Sequence, residues 1–207
     1  MTIKESVYNS IYEDVCNGKY EPNQIITEGS LCEKYQVSKT PIREALIELC
    51  KDKVLQNLPR LGYQVVPVSL KEVLDVIDFR IDIEVSGLRK GFEKMTDQEL
   101  EALLHLAHKK PEEIGNLNWD RNMQFHLGLY QLSRNDIGYD VLTKILRQNT
   151  RYISQYFQSE WRQANANKSN CHEEILKALS ERELERAVEM LTRDIRSVRD
   201  EIIKYHQ

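Results

Sequence analysis

The sequence predicts a mainly α-helical protein in which strands are confined to one short stretch. Apolar residues recur every three or four positions along most of the 207 residues, and this is the helical period. Strand-like runs occur only at 54–58 and 63–68. Later in the chain no strand pattern returns, so we predict two domains, residues 1–68 and residues 69–207.

Two helices are predicted at the start of the first domain. The first should end near Asn17, at the turn signal Asn-Gly. Its apolar residues lie four apart and therefore share one face: Val7, Ile11 and Val15. The second is a short helix over residues 27–35, which follows a turn at Pro22.

A third helix is predicted directly after the break at residues 36–38. Ser38 or Thr40 can cap it, and Pro41 falls in its first turn, where a missing N–H does no harm. One face is apolar and should be buried: Ile42, Ala45, Leu46 and Leu49. The polar residues that face away from this stripe are Lys39, Thr40, Arg43 and Glu44.

The two strand-like runs are joined through residues 59–62, which predicts a β-hairpin with Arg60 near its tip. Three helices followed by a hairpin is the element order of a winged helix-turn-helix. In that fold the last helix enters the major groove of DNA, and the hairpin contacts the flanking backbone or the minor groove. We therefore expect Lys39 and Arg43 to face DNA.

The composition is that of an ordinary soluble protein with a net charge of −4. Because the balance is acidic, any DNA-binding surface must come from the placement of a few cations. No apolar run approaches the roughly 20 residues of a membrane span, and the N-terminus carries no export signal, so we expect a cytoplasmic protein. The four cysteines form no Cys-x-x-Cys pair and are expected to be thiols that pack as small apolar side chains.

The second domain is predicted to be an all-α helical bundle. Three capping boxes should each start a helix: Ser69-x-x-Glu72, Thr96-x-x-Glu99 and Ser180-x-x-Glu183. Further helices are indicated by apolar residues at spacings of three and four in the segments 118–132, 139–161 and 170–179.

The segment ITEGSLCEKYQVSKTPIREALIEL, with the wing PRLGYQV, resembles the GntR family of bacterial transcription factors. The branch it resembles has an all-helical ligand-binding second domain, the FCD domain, named after the fatty-acid regulator FadR. The resemblance covers nearly the whole chain and implies that the third helix contacts DNA and that Gly62 lets the wing approach the DNA backbone. The predicted DNA-contacting residues are Ser38, Lys39, Thr40, Arg43, Arg60 and Gly62.

Two positions depart from the family pattern, which usually has arginine in place of Lys39 and often in place of Gly29. A bidentate guanine contact is therefore weakened at one position and absent at the other. The alternative for Arg43 is a solvated arginine paired with Glu44 or Glu48.

The second domain resembles the family in FRIDIE, in NMQFH and in the later His172. In relatives with a metal site, an Asp-x-x-x-His pair on one helix joins histidines from two later helices. Here these positions are Asn122, His126, His172 and Asp194, so the resemblance implies a divalent-metal site. Two imidazoles, one carboxylate and one amide oxygen are compatible with Zn²⁺, Mn²⁺ or Ni²⁺. The alternative is a metal-free arrangement in which the two histidines hydrogen-bond to Asp194 and Asn122.

Arg80 matches the family position whose guanidinium faces the effector cavity, and a planar, permanently charged fork suits a carboxylate. The alternative is an internal ion pair with Glu84, four residues later. Arg147 and Arg151, one helical turn apart, are assigned to the same cavity.

Together these features predict a DNA-binding transcriptional regulator: a homodimer on a palindromic operator whose helical domain senses a small carboxylate effector. One alternative is a regulator whose helical domain is metal-free and serves only dimerisation. Another is a metal-dependent enzyme, since an open metal position also activates water. No motif places a general base beside His126 or His172, and an enzyme would not need the winged domain. We therefore expect no catalytic residues.

Overall fold

The computed structural model describes residues 2–108, 118–157 and 170–204. Within these ranges the chain forms nine α-helices and one three-stranded antiparallel sheet. The predicted fold class, mainly α with a winged helix-turn-helix before a helical bundle, is confirmed. The contacts divide the chain into two units between Ser69 and Leu70, and a short segment that begins at Arg151 groups with the first unit.

The first unit is built from three helices and the sheet. Its elements are α1 (Ile3–Cys16), β1 (Ile25–Ile26), α2 (Glu28–Tyr35), α3 (Lys39–Lys51), β2 (Leu55–Leu58) and β3 (Gly62–Val65). Thr27 caps α2, because its hydroxyl accepts a hydrogen bond from Ser30 N at 3.2 Å. The predicted apolar stripe of α3 is fully buried and packs against the buried faces of α1 and α2: Ile42, Ala45, Leu46 and Leu49.

The wing has one more strand than the sequence predicts. The strand order is β1-β3-β2, and β1 is a two-residue strand that pairs Ile25 with Gln64. Gly62 begins β3 with φ +132°, and a Cβ there would lie 2.6 Å from the backbone oxygen of Ile26. Glycine is therefore required at this position by the close approach of β1, whatever else the wing contacts.

The second unit is a bundle of six described helices. They are α4 (Leu70–Phe92), α5 (Asp97–His108), α6 (Asn118–Gln131), α7 (Asp136–Phe157, which groups with the first unit from Arg151 on), α8 (Asn170–Ser180) and α9 (Leu184–Lys204). Helix α9 packs on α8 and α4, and α6 packs on α4 and α5. Among the described helices, none combines the length and apolar character that crossing a membrane requires.

One of the predicted capping boxes is confirmed in full and another is wrong. Thr96 N donates to Glu99 Oε2 at 2.9 Å, and Glu99 N donates to Thr96 Oγ1 at 3.3 Å. Ser180 does not start a helix, because it is the last residue of α8 and its hydroxyl donates to Lys177 O at 2.7 Å. The next helix begins four residues later, at Leu184.

Candidate functional sites

The residues predicted to contact DNA lie on the outer side of α3 and at the wing. Ser38 occupies the N-cap position of α3, and its side chain makes no capping hydrogen bond. Lys39, Thr40 and Arg43 are exposed, on the opposite side of α3 from its buried stripe. The structure therefore brings the polar residues of α3 together on one accessible face.

Arg43 forms a bidentate ion pair with Glu28, the first residue of α2. Its Nε and Nη2 atoms each donate to one carboxylate oxygen at 2.9 Å. Hydrogen bonding to Arg43 lowers the pKa of Glu28, so the carboxylate is ionised at neutral pH. The partner of Arg43 in the structure is therefore neither Glu44 nor Glu48; the Glu48 carboxylate instead accepts from Lys4 at 2.5 Å.

Arg60 lies exposed at the tip of the hairpin. Leu61 N donates to Leu58 O at 3.0 Å, and Arg60 has φ +70°. Pro59 before a residue with positive φ is the pattern of a type II turn, which presents the Arg60 side chain outward.

The candidate sensing site is a buried polar cluster in the second unit. Arg80 Nε donates to Glu84 Oε1 at 2.8 Å within α4. The other carboxylate oxygen of Glu84 lies 2.6 Å from His126 Nδ1, on α6. On its far side, His126 Nε2 lies 3.2 Å from Asp194 Oδ2, on α9. His172 Nε2, on α8, lies 3.9 Å from the same carboxylate oxygen. Four helices thus contribute to one chain of charged groups.

The close packing of α4 on α6 makes this cluster possible. A Cβ at Gly87 would lie 2.4 Å from the ring of Tyr130, so only glycine lets the two helices approach this closely. Glu84 lies one turn before Gly87 on α4, and His126 lies one turn before Tyr130 on α6. The close approach therefore brings the carboxylate and the imidazole into contact.

Neighbouring opposite charges in the cluster stabilise each other's ionised forms. Burial alone would raise the pKa of Glu84, but the charges of Arg80 and His126 lower it below its usual value. Burial alone would lower the pKa of His126, but the charge of Glu84 raises it. Burial likewise opposes ionisation of Asp194, and its close contact with His126 lowers its pKa. Both carboxylates are therefore ionised at neutral pH.

Three groups of the cluster are placed as metal ligands would be. One candidate ligand atom from each of His126, His172 and Asp194 lies within 4.8 Å of the others. Because the ionised Glu84 can only accept, neutral His126 carries its proton on Nδ1 and keeps a lone pair on Nε2, the atom that lies 3.2 Å from Asp194 Oδ2. His126 Nε2 is buried and has no hydrogen-bond partner among the residues that the structure describes, since the contact with Asp194 lacks hydrogen-bond geometry. Two imidazoles and one carboxylate suit a divalent cation.

The remaining predicted residues lie in different surroundings. Asn122 is half-buried one turn before His126, on the same face of α6. Arg147 is exposed on α7, whereas Arg151 is 3% exposed and donates from Nη1 to Lys53 O at 2.6 Å in the first unit. The structure therefore does not place Arg147 and Arg151 in one environment, although they are one helical turn apart.

Two contacts of these sites were not predicted, although Glu84 was expected as an alternative ion-pair partner of Arg80, which it is. Glu28 pairs with Arg43, fifteen residues away, and Glu84 contacts His126, which is 42 residues away. The sequence held one signal for Glu84, its i,i+4 spacing from Arg80 on an otherwise apolar face. It held none for the pairing of Glu28, which depends on the crossing of α2 and α3.

Comparison with known proteins matches both units. A model of the FCD domain matches residues 75–197, and a model of bacterial regulatory proteins of the gntR family matches residues 3–65. The chain is 29% identical over 133 residues to the HTH-type transcriptional regulator YdhC of Bacillus subtilis, a match that covers 62% of this chain and 59% of that protein. It is 28% identical over 121 residues to the Nta operon transcriptional regulator of Aminobacter aminovorans, covering 56% and 57%. The chain thus spans less than two thirds of the length of these curated relatives.

A solved structure of E. coli McbR/YncC has the same fold, with a TM-score of 0.80 and 20% identity over the whole of both chains. The two family models together describe a bacterial regulatory protein in which a gntR-type DNA-binding unit precedes an FCD domain. The chain belongs to the GntR family of bacterial regulatory proteins, and its second unit is an FCD domain.

Proposed function

We propose that this regulator acts in the cytoplasm as a homodimer on a palindromic operator. We further propose that its FCD domain changes operator affinity when it binds a small carboxylate with the help of a divalent metal. The observation that carries the proposal is the convergence of His126, His172 and Asp194 beside the buried Arg80–Glu84 pair.

The metal would be held by His126, His172 and Asp194, with Asn122 or water completing the shell. Zn²⁺, Mn²⁺ and Ni²⁺ all accept such ligands. A bound divalent cation supplies an open coordination position for a carboxylate oxygen. Glu84 orients the imidazole of His126 by accepting from its Nδ1, and such partners commonly change metal affinity about 10- to 100-fold.

Arg80 supports the carboxylate part of the proposal. Its Nε donates to Glu84, but its Nη2 is buried and, within the described part of the chain, has no hydrogen-bond partner. A buried guanidinium nitrogen left unsatisfied costs free energy, and a carboxylate oxygen would satisfy it. The effector would thus meet Arg80 with one oxygen. The assignment of Arg147 and Arg151 as effector contacts stays a prediction.

The DNA-binding part of the proposal rests on the outer face of α3 and on the wing. Lys39, Thr40 and Arg43 would face the major groove, and Ser38 would meet a phosphate at the helix N-terminus. Arg60 would contact the flanking backbone or minor groove, with Gly62 allowing the approach of the wing. Two copies are needed because one small winged unit covers too little DNA for tight specific binding.

The expected stabilisation by metal depends on pH in a direction set by His126. Its folded pKa is raised, so in the metal-free protein the charged imidazole stabilises the fold at low pH, and this contribution is lost as pH rises through that pKa. A metal requires the neutral imidazole, so its affinity falls as pH drops through the same pKa. At about 100 times the dissociation constant, metal contributes about 2.7 kcal/mol, or about 5–10 °C in melting temperature.

Thermal unfolding with Zn²⁺, Mn²⁺ or Ni²⁺, scanned from about pH 8.5 to about pH 5.5, measures this dependence. The increase in melting temperature should shrink toward low pH, vanish with a chelator, and be absent in His126→Ala. His105→Ala, which removes an exposed histidine of α5, should keep the full increase. If none of the three metals raises the melting temperature at any pH, the metal-free interpretation replaces this proposal.

One observation favours that alternative, a metal-free FCD domain that serves only dimerisation. A charged His126 between Glu84 and Asp194 is electrostatically satisfied without a metal. In that case acids should not stabilise the protein either. A panel of small carboxylic acids in the same thermal assay separates the two interpretations, because only a sensor is stabilised by one of them.

We expect the dimer to form through residues 69–207. The helical unit exposes large apolar side chains, including Ile137 at 80%, Phe79 at 45% and Val141 at 37%, and burial of such side chains drives association. Light scattering should give twice the monomer mass for the full chain and for a chain that begins at residue 69. A monomeric mass for both chains would contradict the dimer, and a dimer only of the full chain would move the interface to the first unit.

A further inference from the structure

Among the described residues, the guanidinium of Arg43 is hydrogen-bonded along one edge, by Glu28. Glu28 takes the edge formed by Nε and Nη2, with both contacts at 2.9 Å. Arginine has five N–H donors in a fixed plane, so this pairing leaves Nη1 and the second hydrogen of Nη2. These two donors form the end-on fork, which is the edge that matches guanine O6 and N7. The arginine side chain remains 60% exposed, so this fork is accessible.

Glu28 is itself fixed by its surroundings. It is the first residue of α2, and the reciprocal bonds between Thr27 and Ser30 define where that helix starts. The hydroxyl of Tyr63 lies 3.5 Å from Glu28 Oε1, and Tyr63 belongs to the wing strand β3 and is 8% exposed. The carboxylate thus contacts both α3 and β3.

Stability does not explain this carboxylate. An exposed ion pair contributes little to the free energy of unfolding, because the charges are solvated and two long side chains lose conformational freedom. A negative charge on a face that approaches phosphates also weakens DNA binding in general. Its benefit must lie in the orientation of Arg43, whose several rotatable bonds otherwise have to be ordered when DNA binds.

We infer that Glu28 is a positioning residue for operator recognition, which holds the Arg43 guanidinium side-on so that its end-on fork reads a guanine. Glu28 therefore raises affinity for the operator, while its negative charge lowers affinity for DNA that offers no guanine to Arg43. The inference rests on Arg43 being a base-reading residue, which Arg43→Ala tests separately. If Arg43→Ala keeps wild-type operator affinity, both statements fail; if only the Glu28 variant behaves like wild type, this inference alone fails.

The test compares Glu28→Gln with Glu33→Gln in the full chain. Both variants remove one negative charge from α2. Glu33 is exposed, and its carboxylate is not among the groups that act on Arg43. Each protein is titrated onto an operator selected from random duplexes by the wild type, and onto an unrelated duplex of equal length. The measured quantity is the specificity ratio, which is the dissociation constant for the unrelated duplex divided by that for the operator.

Glu28→Gln should lower this ratio by about tenfold or more, because operator affinity falls while affinity for the unrelated duplex stays or rises. Glu33→Gln should leave the ratio unchanged. A lysine at this position has no second pair of fixed donors, so it cannot be oriented by Glu28 and contact a guanine bidentately. In an Arg43→Lys background, Glu28→Gln should therefore no longer change the ratio. The inference is overturned if Glu28→Gln keeps the wild-type ratio. It is also overturned if Glu28→Gln strengthens binding to both duplexes equally, because Glu28 would then act only by repelling DNA phosphates.

Discussion

Arg43→Ala is expected to abolish specific operator binding by the full chain while leaving its fold intact. Arg43 lies on the exposed face of α3, opposite the fully buried stripe, so its truncation opens no cavity. A bidentate arginine–guanine contact discriminates by about ten- to hundredfold. A dimer loses this contact in both half-sites, so the loss should be about hundredfold or more.

Fluorescence anisotropy of a labelled operator measures this loss, and circular dichroism checks the fold. The matched control is Arg196→Ala, which removes an exposed arginine of α9 in the FCD domain and should keep operator affinity. Wild-type operator affinity in Arg43→Ala would remove this residue from the recognition surface.

Glu84→Gln is expected to have the largest effect on stability. The side chains of Arg80 and Glu84 are each 2% exposed, and breaking a buried ion pair costs about 3–5 kcal/mol because one charge is left without compensation. The variant should also bind metal more weakly. The new amide donates to His126 Nδ1, which shifts the imidazole proton to Nε2 and blocks the atom that would ligate.

Urea unfolding and metal titration measure the two effects. The control is Asp75→Asn, which breaks an ion pair of the same i,i+4 spacing on the same helix, between Lys71 and an aspartate side chain that is 61% exposed. This control should unfold like the wild type, since exposed pairs contribute little. Equal stability of Glu84→Gln and the wild type would mean that the pair is not isolated from solvent.

Much of the fold could be predicted because its signals are local. The buried stripe of α3 and the capping box at Thr96 depend on residues three or four apart, and both were found in the structure. Strand β1 could not be predicted, since two residues carry no pattern and the strand exists only through its pairing with β3. The predicted box at Ser180 was wrong because the preceding helix α8 continues through that residue.

The candidate sites were predictable as sets of residues but not as contacts. The resemblance supplied His126, His172 and Asp194, which lie together in the structure. The contact of Glu84 with His126 required the close packing of α4 on α6 at Gly87, which no local pattern encodes. The bond of Arg151 to Lys53 O likewise joins residues 98 positions apart, which no local spacing encodes.

The central claim is that the FCD domain couples a carboxylate and a metal to DNA binding. The most direct measurement is operator affinity by anisotropy, in metal-loaded protein, with and without each acid of a panel, for the wild type and for His172→Ala. We predict that one acid changes the wild-type dissociation constant by about 5- to 150-fold, the usual range of allosteric coupling. His172→Ala should bind the operator as the acid-free wild type does and should not respond. The claim is contradicted if no acid changes operator affinity, or if the response persists in full in His172→Ala.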